Sequence, residues 1–349
     1  MKDIHKSYLK PFFEEMNKEF PNKWCVLHSY ETLPNFSISD VDMAFSGEDT
    51  AKLESLIINV ANKTGWKIYQ KLWYDSPKCF YYVLKNEDNI FLAIDFLIDN
   101  DGIGKYGFPV SLLTQDCTIY NHIIPIPNNT IAFSYKYVKR IVKKRSLEDD
   151  QEYLLEHYKN ADIDKINNIL TQQFGQEGMK IIKNKLSKQD FLLSTKELET
   201  LSNIKWSIFA KKGKKIKRVY NEFFRITNRI LYPCGMVIFI PKIPKDSLDY
   251  FAESIKKRVN LIFRFVKLNH SNSTGFNLKG LVGSTLVIVP IDNFNSSRAI
   301  KTHWLPNSYS SVDIKKEQFN NIDFAVDQYM KHILKSLQIR NQNRMKIDG

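Results

Sequence analysis

The sequence predicts an α/β protein with three parts: a mixed sheet with helical cover, a basic helical middle and a small parallel α/β domain. Residues 1–125 contain short apolar stretches, which predict strands, and two segments with the apolar spacing of a helix. Residues 134–229 are lysine-rich and have helical spacing. Residues beyond 235 alternate predicted apolar strands with predicted helices. Turn-rich stretches at 125–129 and 232–235 separate the parts. The domains expected from these observations are 1–128, 129–230 and 231–349.

Each element of the first part follows from its apolar spacing. Over residues 1–20, apolar side chains recur about every 3.6 residues, as on one face of a helix. A second helical repeat covers residues 51–64, and a polar turn at 86–89 separates two strands. The strands expected here are 24–28, the stretch that carries Asp40 and Asp42, 67–72, 80–85 and 90–98.

The middle and last parts are interpreted in the same way. In the middle, apolar residues at helical spacing run from Ile166 to Phe174 and again from Met179 to Leu186. The last part combines apolar stretches, which predict buried strands, with two amphipathic helices. Its expected elements are strands at 236–240 and 286–291 and helices at 247–265 and 317–340.

Bulk composition narrows the function classes. The 349 residues are 43% apolar and 26% charged, which is typical of folded globular domains. The longest apolar runs are far shorter than the roughly 20 residues that span a bilayer, and the amino terminus lacks the apolar core of a signal peptide. We therefore expect a cytoplasmic protein without a transmembrane segment. The 4 cysteines and 7 histidines follow no zinc or disulfide pattern.

The charge is strongly basic, with 51 Lys and Arg against 38 Asp and Glu and a formal net charge of +13. This balance favours anionic partners, such as nucleotides, nucleic acid, acidic glycans or a membrane surface. The excess is concentrated in two clusters, at residues 136–145 and 205–229. Each cluster is compatible with two interpretations: a solvated helix face, or a surface that binds anions.

Three aspartates in apolar stretches are the most informative residues. Asp40 and Asp42 are one residue apart, so on a strand they project from the same face. Asp95 lies within the apolar stretch 91–98, and an adjacent strand can bring it beside them. Crowded carboxylates repel one another unless a cation joins them, and burying Asp95 without a partner or a metal is costly. Such oxygen ligands suit Mg²⁺ or Mn²⁺ together with substrate phosphates, which indicates phosphoryl or nucleotidyl transfer. By itself, Asp-x-Asp is also compatible with unrelated acids at an exposed strand end.

The order and spacing of these residues resemble the nucleotidyltransferase superfamily, whose fold is shared with DNA polymerase beta. Its signature is an apolar strand ending in Gly-Ser or Gly-Gly, then an Asp-x-Asp strand, then a lone Asp on a neighbouring strand. Val26-Leu27-His28-Ser29 corresponds to the first element, Asp40-Val41-Asp42 to the second and Asp95 to the third. The first glycine is absent, since either His28 or Ser29 takes its place. Its loss affects the expected nucleotide affinity more than metal binding.

The resemblance implies roles for individual residues. Asp40 and Asp42 would hold the metal ion that bridges the nucleotide phosphates, while Asp95 would complete the metal site and orient or deprotonate the acceptor hydroxyl. Attack on the α-phosphorus would then release pyrophosphate. The residues expected to contact the nucleotide are His28, Ser29, Ser39, Lys71 and Lys78. Glu31 is expected either to hold the acceptor or to anchor its turn.

A narrower resemblance covers nearly the whole chain. The stretches 27–34 and 39–42 and the basic helix 137–144 look like proteins of bacterial surface-polysaccharide gene clusters. Those proteins join a nucleotidyltransferase-like domain, a helical middle and a thymidylate-kinase-like P-loop domain. In them, a Gly-rich phosphate-binding loop follows the stretch that corresponds to residues 229–240 of this chain.

The Gly-rich loop is missing from this sequence. Its place is taken by Pro241-Lys242-Ile243-Pro244-Lys245-Asp246-Ser247-Leu248, which contains no glycine. A P-loop needs glycines that turn backbone N–H groups toward the phosphates, whereas prolines remove such donors. We therefore expect a degenerate kinase-like domain that cannot transfer phosphate by the P-loop route, with Lys245 and Ser247 as candidate remnants of the motif.

Three functions are open from the sequence. The first is a Mg²⁺-dependent nucleotidyltransferase that acts on a surface-polysaccharide precursor or another small phosphorylated acceptor. The second is a non-catalytic nucleotide- or glycan-binding protein, because both phosphate-binding loops have lost glycines. The third is an RNA nucleotidyltransferase of tRNA ends, in which the basic middle carries the RNA, although no RNA-binding motif supports it beyond charge.

Overall fold

The computed structural model describes residues 3–37, 39–75, 79–104, 106–211, 213–231, 235–263, 265–268, 285–291, 309–311, 319 and 321–347. Its helices are α1 (Lys6–Glu19), α2 (Thr50–Lys63), α3 (Val110–Leu113), α4 (Asn129–Lys143), α5 (Gln151–Lys159), α6 (Ile163–Ser187), α7 (Thr195–Lys211), α8 (Lys214–Leu231), α9 (Lys245–Val259) and α10 (Ile322–Ile347). Its strands are β1 (Trp24–Val26), β2 (Val41–Phe45), β3 (Lys67–Asp75), β4 (Cys79–Lys85), β5 (Phe91–Leu97), β6 (Thr118–Tyr120), β7 (Ile124–Ile126), β8 (Met236–Pro241), β9 (Phe265–Leu268), β10 (Thr285–Ile291) and β11 (Tyr309–Ser311).

These elements confirm the α/β class, with both parallel and antiparallel strand pairs. The chain divides into two compact units. The first comprises Met1–Thr64, Tyr74–Phe80 and Ile94–Phe223, and the second comprises Gly65–Trp73, Tyr81–Ala93 and Phe224–Gly349. Among the described residues, no helix has the length and apolar character needed to cross a membrane.

The first unit is built around strands β1, β2 and the second half of β5. Strand β1 pairs with β2 in antiparallel orientation, and β2 pairs with β5 in parallel orientation. Helix α1 covers these strands with its apolar face: Phe13 stacks on Trp24, with ring centroids 5.5 Å apart, and Phe12 meets the edge of Phe96 at 6.3 Å. The predicted helix at residues 1–20 therefore packs as its apolar spacing requires.

The helical middle shares a core with this sheet. Cys25 and Ala44, from β1 and β2, belong to the same buried cluster as Phe133 and Tyr137 of α4 and Leu170 of α6. Because α4 buries side chains on most of its surface, it is a central element of the first unit. The sequence analysis gave residues 129–230 a domain of their own, whereas the first compact unit contains this segment as far as Phe223.

Helix α6 contains a kink at Gly175, whose φ of 65° and ψ of −177° are not helical. This backbone conformation is essentially restricted to glycine. A side chain here would also meet Ile208, since a Cβ added at Gly175 would lie 3.3 Å from Ile208 Cδ1. The kink separates the two apolar repeats that the sequence places at Ile166–Phe174 and Met179–Leu186.

The second unit contains the small parallel sheet that the sequence predicts. Its strand order is β11-β8-β10-β9, and β8 and β10 run parallel with Met236 opposite Leu286. Helices α9 and α10 contribute Phe251 and Tyr329 to the core, where the Tyr329 hydroxyl donates a hydrogen bond to the Phe239 carbonyl at 2.8 Å. Strands β5, β4 and β3 are neighbours in that order, and Tyr69 and Val83 join the same core.

The connection between β8 and α9 lies where the resemblance described above would place a Gly-rich loop. Strand β8 ends at Pro241 and α9 begins at Lys245, so only residues 242–244 connect them. Within this connection the Lys242 N–H donates to the Ile291 carbonyl at 3.1 Å, and Pro244 has no N–H to offer. A phosphate cradle of successive N–H groups is therefore not formed by these residues.

Candidate metal centre

The three aspartates of the sequence motif come together in the first unit. Parallel pairing of β2 and β5 places Asp42 directly opposite Asp95. Asp40 immediately precedes the first residue of β2 and lies two positions from Asp42, so it shares the same side of the sheet. Each residue offers one carboxylate oxygen, and these oxygens all lie within 4.8 Å of one another. All three residues are half-buried.

This donor set fits a hard divalent cation. Mg²⁺ takes oxygen ligands at about 2.0–2.1 Å, so two oxygens on one ion are at most about 4.2 Å apart. The limit of 4.8 Å in the protein is wider than this by roughly half an ångström. Small side-chain movements, or ligands divided between two ions, are therefore enough for direct coordination. The Oδ1 atom of Asp95 is buried.

Asp42 also contacts two basic side chains. Its Oδ2 atom lies 3.1 Å from His28 Nε2, and its Oδ1 atom lies 3.9 Å from Lys139 Nζ. Lys139 Nζ is also 3.1 Å from His28 Nε2. A neutral ring satisfies one of the two contacts at Nε2: a protonated Nε2 donates to Asp42 while Nδ1 accepts from the Ser29 hydroxyl at 3.3 Å, and an unprotonated Nε2 accepts from the Lys139 ammonium.

The pKa values of the neighbouring acids Asp42 and Asp40 are shifted in opposite directions. Burial by itself raises the pKa of Asp42, but Lys139, His28 and the other lysines of α4 together hold it below its ordinary value. Lys139 and Lys143 also act to lower the pKa of Asp40, but two larger effects oppose them. Burial and the neighbouring Asp42 carboxylate raise its pKa above the ordinary value of 3.8. The folded protein therefore favours an ionised Asp42 and disfavours an ionised Asp40 when no metal is bound.

The pKa of His28 is lowered from 6.5 to about 4. Burial is the main cause, and Lys139 adds to the effect, whereas Asp42 opposes it. His28 is therefore a neutral imidazole near pH 7. In this form it can donate one hydrogen bond and accept another, but it does not add positive charge to the site.

Lys139 is the site residue that the sequence analysis did not identify. It lies on α4, its side chain is only 14% exposed, and its Nζ lies 5.5 Å from the centre of the Tyr135 ring and 6.0 Å from that of Tyr106. These cation–π contacts hold the ammonium group toward Asp42. The charge cluster at 136–145 was visible in the sequence, yet it gave no reason to choose this lysine.

Two other basic residues of that cluster, Lys136 and Arg140, contact a carboxylate outside the triad. Lys136 Nζ lies 3.1 Å from Asp150 Oδ1, and Arg140 donates to the other oxygen of the same carboxylate. This network is half-buried and links α4 to the 3₁₀ turn Glu148–Asp150 that precedes α5. Lys136 and Arg140 therefore form a structural ion-pair network, which neither the solvated-face nor the anion-binding interpretation predicted.

The remaining predicted site residues have varied positions. Ser29 is exposed next to His28, and its φ of 57° is the left-handed conformation that glycine favours. Ser39 is exposed, and its hydroxyl donates to the Asp40 carbonyl at 3.3 Å. Glu31 is exposed, and its carbonyl accepts from the Tyr120 hydroxyl at 3.1 Å. Lys71 is half-buried on β3 in the second unit, and Lys78 lies outside the described residues.

A cavity of about 340 Å³ lies in the first unit beside the loop that follows β5. Asp99 shapes this loop, because its buried carboxylate accepts hydrogen bonds from the N–H groups of Ile103 at 2.9 Å and Gly104 at 2.7 Å. Asp99 thus caps the turn rather than adding a fourth metal ligand. The residues that line the cavity include Gly102, Gly107, Gln115, Gln173, Lys205 and Lys214. Within this wall Lys205 donates to Gln173, and Lys214 donates to the Asp101 and Gly102 carbonyls.

Comparison with known proteins assigns no family to this chain: no protein-family model matches it, and no curated protein matches it.

Proposed function

We propose that this protein is a divalent-metal-dependent nucleotidyltransferase, which transfers a nucleotidyl group from a nucleoside triphosphate to an acceptor and releases pyrophosphate. The observation that carries the proposal is the convergence of Asp40, Asp42 and Asp95, with donor oxygens within 4.8 Å, on two paired parallel strands. Three carboxylates in this arrangement are the ligand type that Mg²⁺ and Mn²⁺ use with phosphate substrates.

The chain's own residues would divide the chemistry among them. Asp40 and Asp42 would hold the cation, which would supply Lewis-acid chemistry next to the triphosphate. Asp95, whose Oδ1 atom is buried, would orient the acceptor hydroxyl and receive its proton. Lys139 stabilises negative charge next to Asp42.

The reaction forms one bond and breaks one bond at the α-phosphorus. The acceptor oxygen forms a bond to the α-phosphorus, and the bond from that phosphorus to the bridging oxygen of pyrophosphate breaks. The proton of the acceptor hydroxyl leaves through Asp95. No oxidant or reductant is needed, and pyrophosphate carries away the electron pair of the broken bond.

The acceptor class follows from the resemblance to polysaccharide-cluster proteins, which favours a sugar or a small phosphorylated precursor. A cytoplasmic location belongs to the same proposal, since nucleoside triphosphates are the donor substrates.

The test combines binding and turnover. Each of the common nucleoside triphosphates is added to the full chain with Mg²⁺ or with EDTA, and thermal unfolding is recorded. We expect Mg²⁺-dependent stabilisation by at least one triphosphate, and we expect its loss in Asp42→Asn. Asp116→Asn is the matched control, because Asp116 is an exposed acid of the same unit that contacts Lys165 instead of the triad. If no triphosphate stabilises the wild type, the proposal is wrong.

One observation favours a second function, that of a non-catalytic nucleotide-binding protein. Lys139 Nζ lies 3.9 Å from Asp42 Oδ1, so an internal cation already neutralises part of the acidic cluster. The missing glycine at Ser29 points in the same direction. The two functions differ in a release assay with candidate sugar and phosphosugar acceptors: a nucleotidyltransferase releases pyrophosphate, whereas a binding protein is stabilised by the triphosphate and releases none.

A further inference from the structure

Helix α8 has one apolar side and one strongly basic side. Successive helix residues are about 100° apart around the axis. On this basis one arc carries Ile216, Val219, Tyr220, Phe223, Phe224 and Ile226. The opposite arc carries Lys214, Lys215, Lys217, Arg218, Arg225 and Arg229, with Glu222 as the single acid. The sequence leaves this second basic cluster open between a solvated face and an anion-binding surface.

The apolar side of α8 is exposed. Ile216 is 79% exposed, Val219 63%, Tyr220 63% and Phe223 65%. These four residues are called the α8 apolar face below. All four belong to the first compact unit. Large apolar side chains grouped in this way on one helix mark a surface for binding a partner.

Contacts of the basic side explain why the apolar face points outward. Lys214 Nζ donates to the carbonyls of Asp101 and Gly102 at 2.9 and 3.1 Å, and Lys217 Nζ donates to the Asp101 carboxylate at 2.6 Å. The Arg218 guanidinium lies 4.9 Å from the centre of the Trp206 ring. The first unit thus holds α8 by its polar side, which leaves the α8 apolar face exposed.

We infer that the α8 apolar face binds the surface of an anionic phospholipid membrane. A helix of this type lies in the plane of the interface, with its apolar side chains below the headgroups and its basic residues at the phosphates. Lys215 and Lys217 border the apolar arc on its two sides; Lys217 is held by Asp101, and Lys215 is exposed enough to reach the headgroups. Long lysine side chains commonly extend from an apolar interface in this manner.

Charge and shape favour this partner over two others. A second copy of the chain would bring the same basic residues against Lys215 and Lys217, which costs free energy. RNA would satisfy the charge, but it would leave Ile216 and Val219 against phosphates and sugars. An anionic bilayer offers apolar depth and negative charge at once. This inference concerns attachment only and does not depend on the metal centre.

The experiment is vesicle flotation with the full chain. The vesicles contain phosphatidylcholine alone or an equal mixture of phosphatidylcholine and phosphatidylglycerol. We expect binding to the mixed vesicles, weak binding to phosphatidylcholine alone, and a loss of binding as salt is raised. Ile216→Ser/Phe223→Ser should weaken binding at least about tenfold, since each large apolar side chain contributes on the order of tenfold. Lys215→Gln should weaken it about fivefold.

Two matched variants test the specificity of the surface. Ile119→Ser removes an apolar side chain that is 60% exposed on β6, and Lys180→Gln removes an exposed lysine on α6. Both should bind vesicles like the wild type. Because every substituted residue is exposed, thermal unfolding should be unchanged in all variants.

Three outcomes would overturn the inference. The first is wild-type protein that does not float with the mixed vesicles. The second is binding that Ile216→Ser/Phe223→Ser leaves unchanged. The third is the absence of vesicle binding together with a concentration-dependent dimer, measured by sedimentation without lipid, that the same double variant abolishes. This result would assign the α8 apolar face to a second copy of the chain.

Discussion

The substitutions Asp40→Asn and Asp42→Asn should change the free energy of unfolding in opposite directions. Asp40→Asn should stabilise the metal-free protein, whereas Asp42→Asn should destabilise it. Both substitutions should remove stabilisation by Mg²⁺. The contrast arises because positive charge surrounds Asp42, while Asp40 faces burial and the negative charge of Asp42.

The magnitude follows from the distances. Two unit charges 4.8 Å apart repel by about 3–4 kcal/mol at an effective dielectric constant of about 20. Both groups are half-buried, and solvent screening reduces this to about 1–2 kcal/mol. Asp40→Asn should recover this amount. Asp42→Asn also relieves repulsion, but it removes the charged partner of Lys139 and the acceptor of His28, so we expect a net loss of about 1–3 kcal/mol.

The direction of each pKa shift supports these signs. A carboxyl group with a raised pKa is less stable as the anion in the folded state, so a neutral amide is better accommodated there. A carboxyl group with a lowered pKa contributes stability as the anion, and a neutral amide loses that contribution. Asp40 belongs to the first case and Asp42 to the second.

The assay is thermal unfolding near pH 7 with EDTA, followed by the same measurement with Mg²⁺ and a nucleoside triphosphate. A change of 1 kcal/mol corresponds to roughly 2–4 °C for a unit of this size. Asp116→Asn controls for the loss of an exposed carboxylate. Two observations would refute the reasoning: equal shifts of the same sign for Asp40→Asn and Asp42→Asn in EDTA, or a Mg²⁺ response that persists in both variants.

Three further predictions follow from the same unit. Ser29→Gly should raise the unfolding free energy by up to about 1 kcal/mol and tighten triphosphate binding, because glycine adopts the φ of 57° without strain and gives the phosphates closer access to the backbone; a calorimetric titration checks both effects. In EDTA, the free energy of unfolding should fall as the pH drops from 6.5 toward 4, and His28 should account for at most about 3 kcal/mol of this fall. The reason is that the buried His28 ring resists protonation in the folded state, whereas it is protonated readily in the unfolded state. His28→Gln should flatten this part of the stability curve, and an unchanged slope would contradict the lowered pKa. Gly175→Ala should cost about 1–3 kcal/mol in urea unfolding, since a non-glycine residue is strained at this φ and ψ and its Cβ would lie against Ile208; a neutral result would show that α6 can straighten.

The strands of the metal centre were predictable from local patterns. Alternation along a strand placed Asp40 and Asp42 on one face, and the apolar stretch around Asp95 predicted a second strand. The lack of an N–H cradle at residues 242–244 was predictable for a similar reason, because proline and the absence of glycine act on the local backbone. The parallel register that sets Asp42 opposite Asp95 was not predictable in this way, because adjacency alone determines neither strand direction nor register.

Long-range packing was not predictable in the same way. Lys139 is distant in sequence from Asp42, and its position depends on how α4 packs against β1 and β2. The same packing places α4 to α7 with the amino-terminal sheet, although composition alone set them apart as a domain. The positive φ of Ser29 escaped notice because serine rarely adopts it, so the residue type gave no signal.

The most direct test of the metal centre is Mn²⁺ binding, measured by electron paramagnetic resonance as free Mn²⁺ is titrated into the full chain in the presence of a non-hydrolysable nucleoside triphosphate. If Asp40, Asp42 and Asp95 hold the metal with the nucleotide, the wild type will bind Mn²⁺ stoichiometrically and Asp116→Asn will match it. Asp42→Asn will lose this binding. Equal Mn²⁺ binding by the wild type and Asp42→Asn, or none by either, would contradict the assignment of this site.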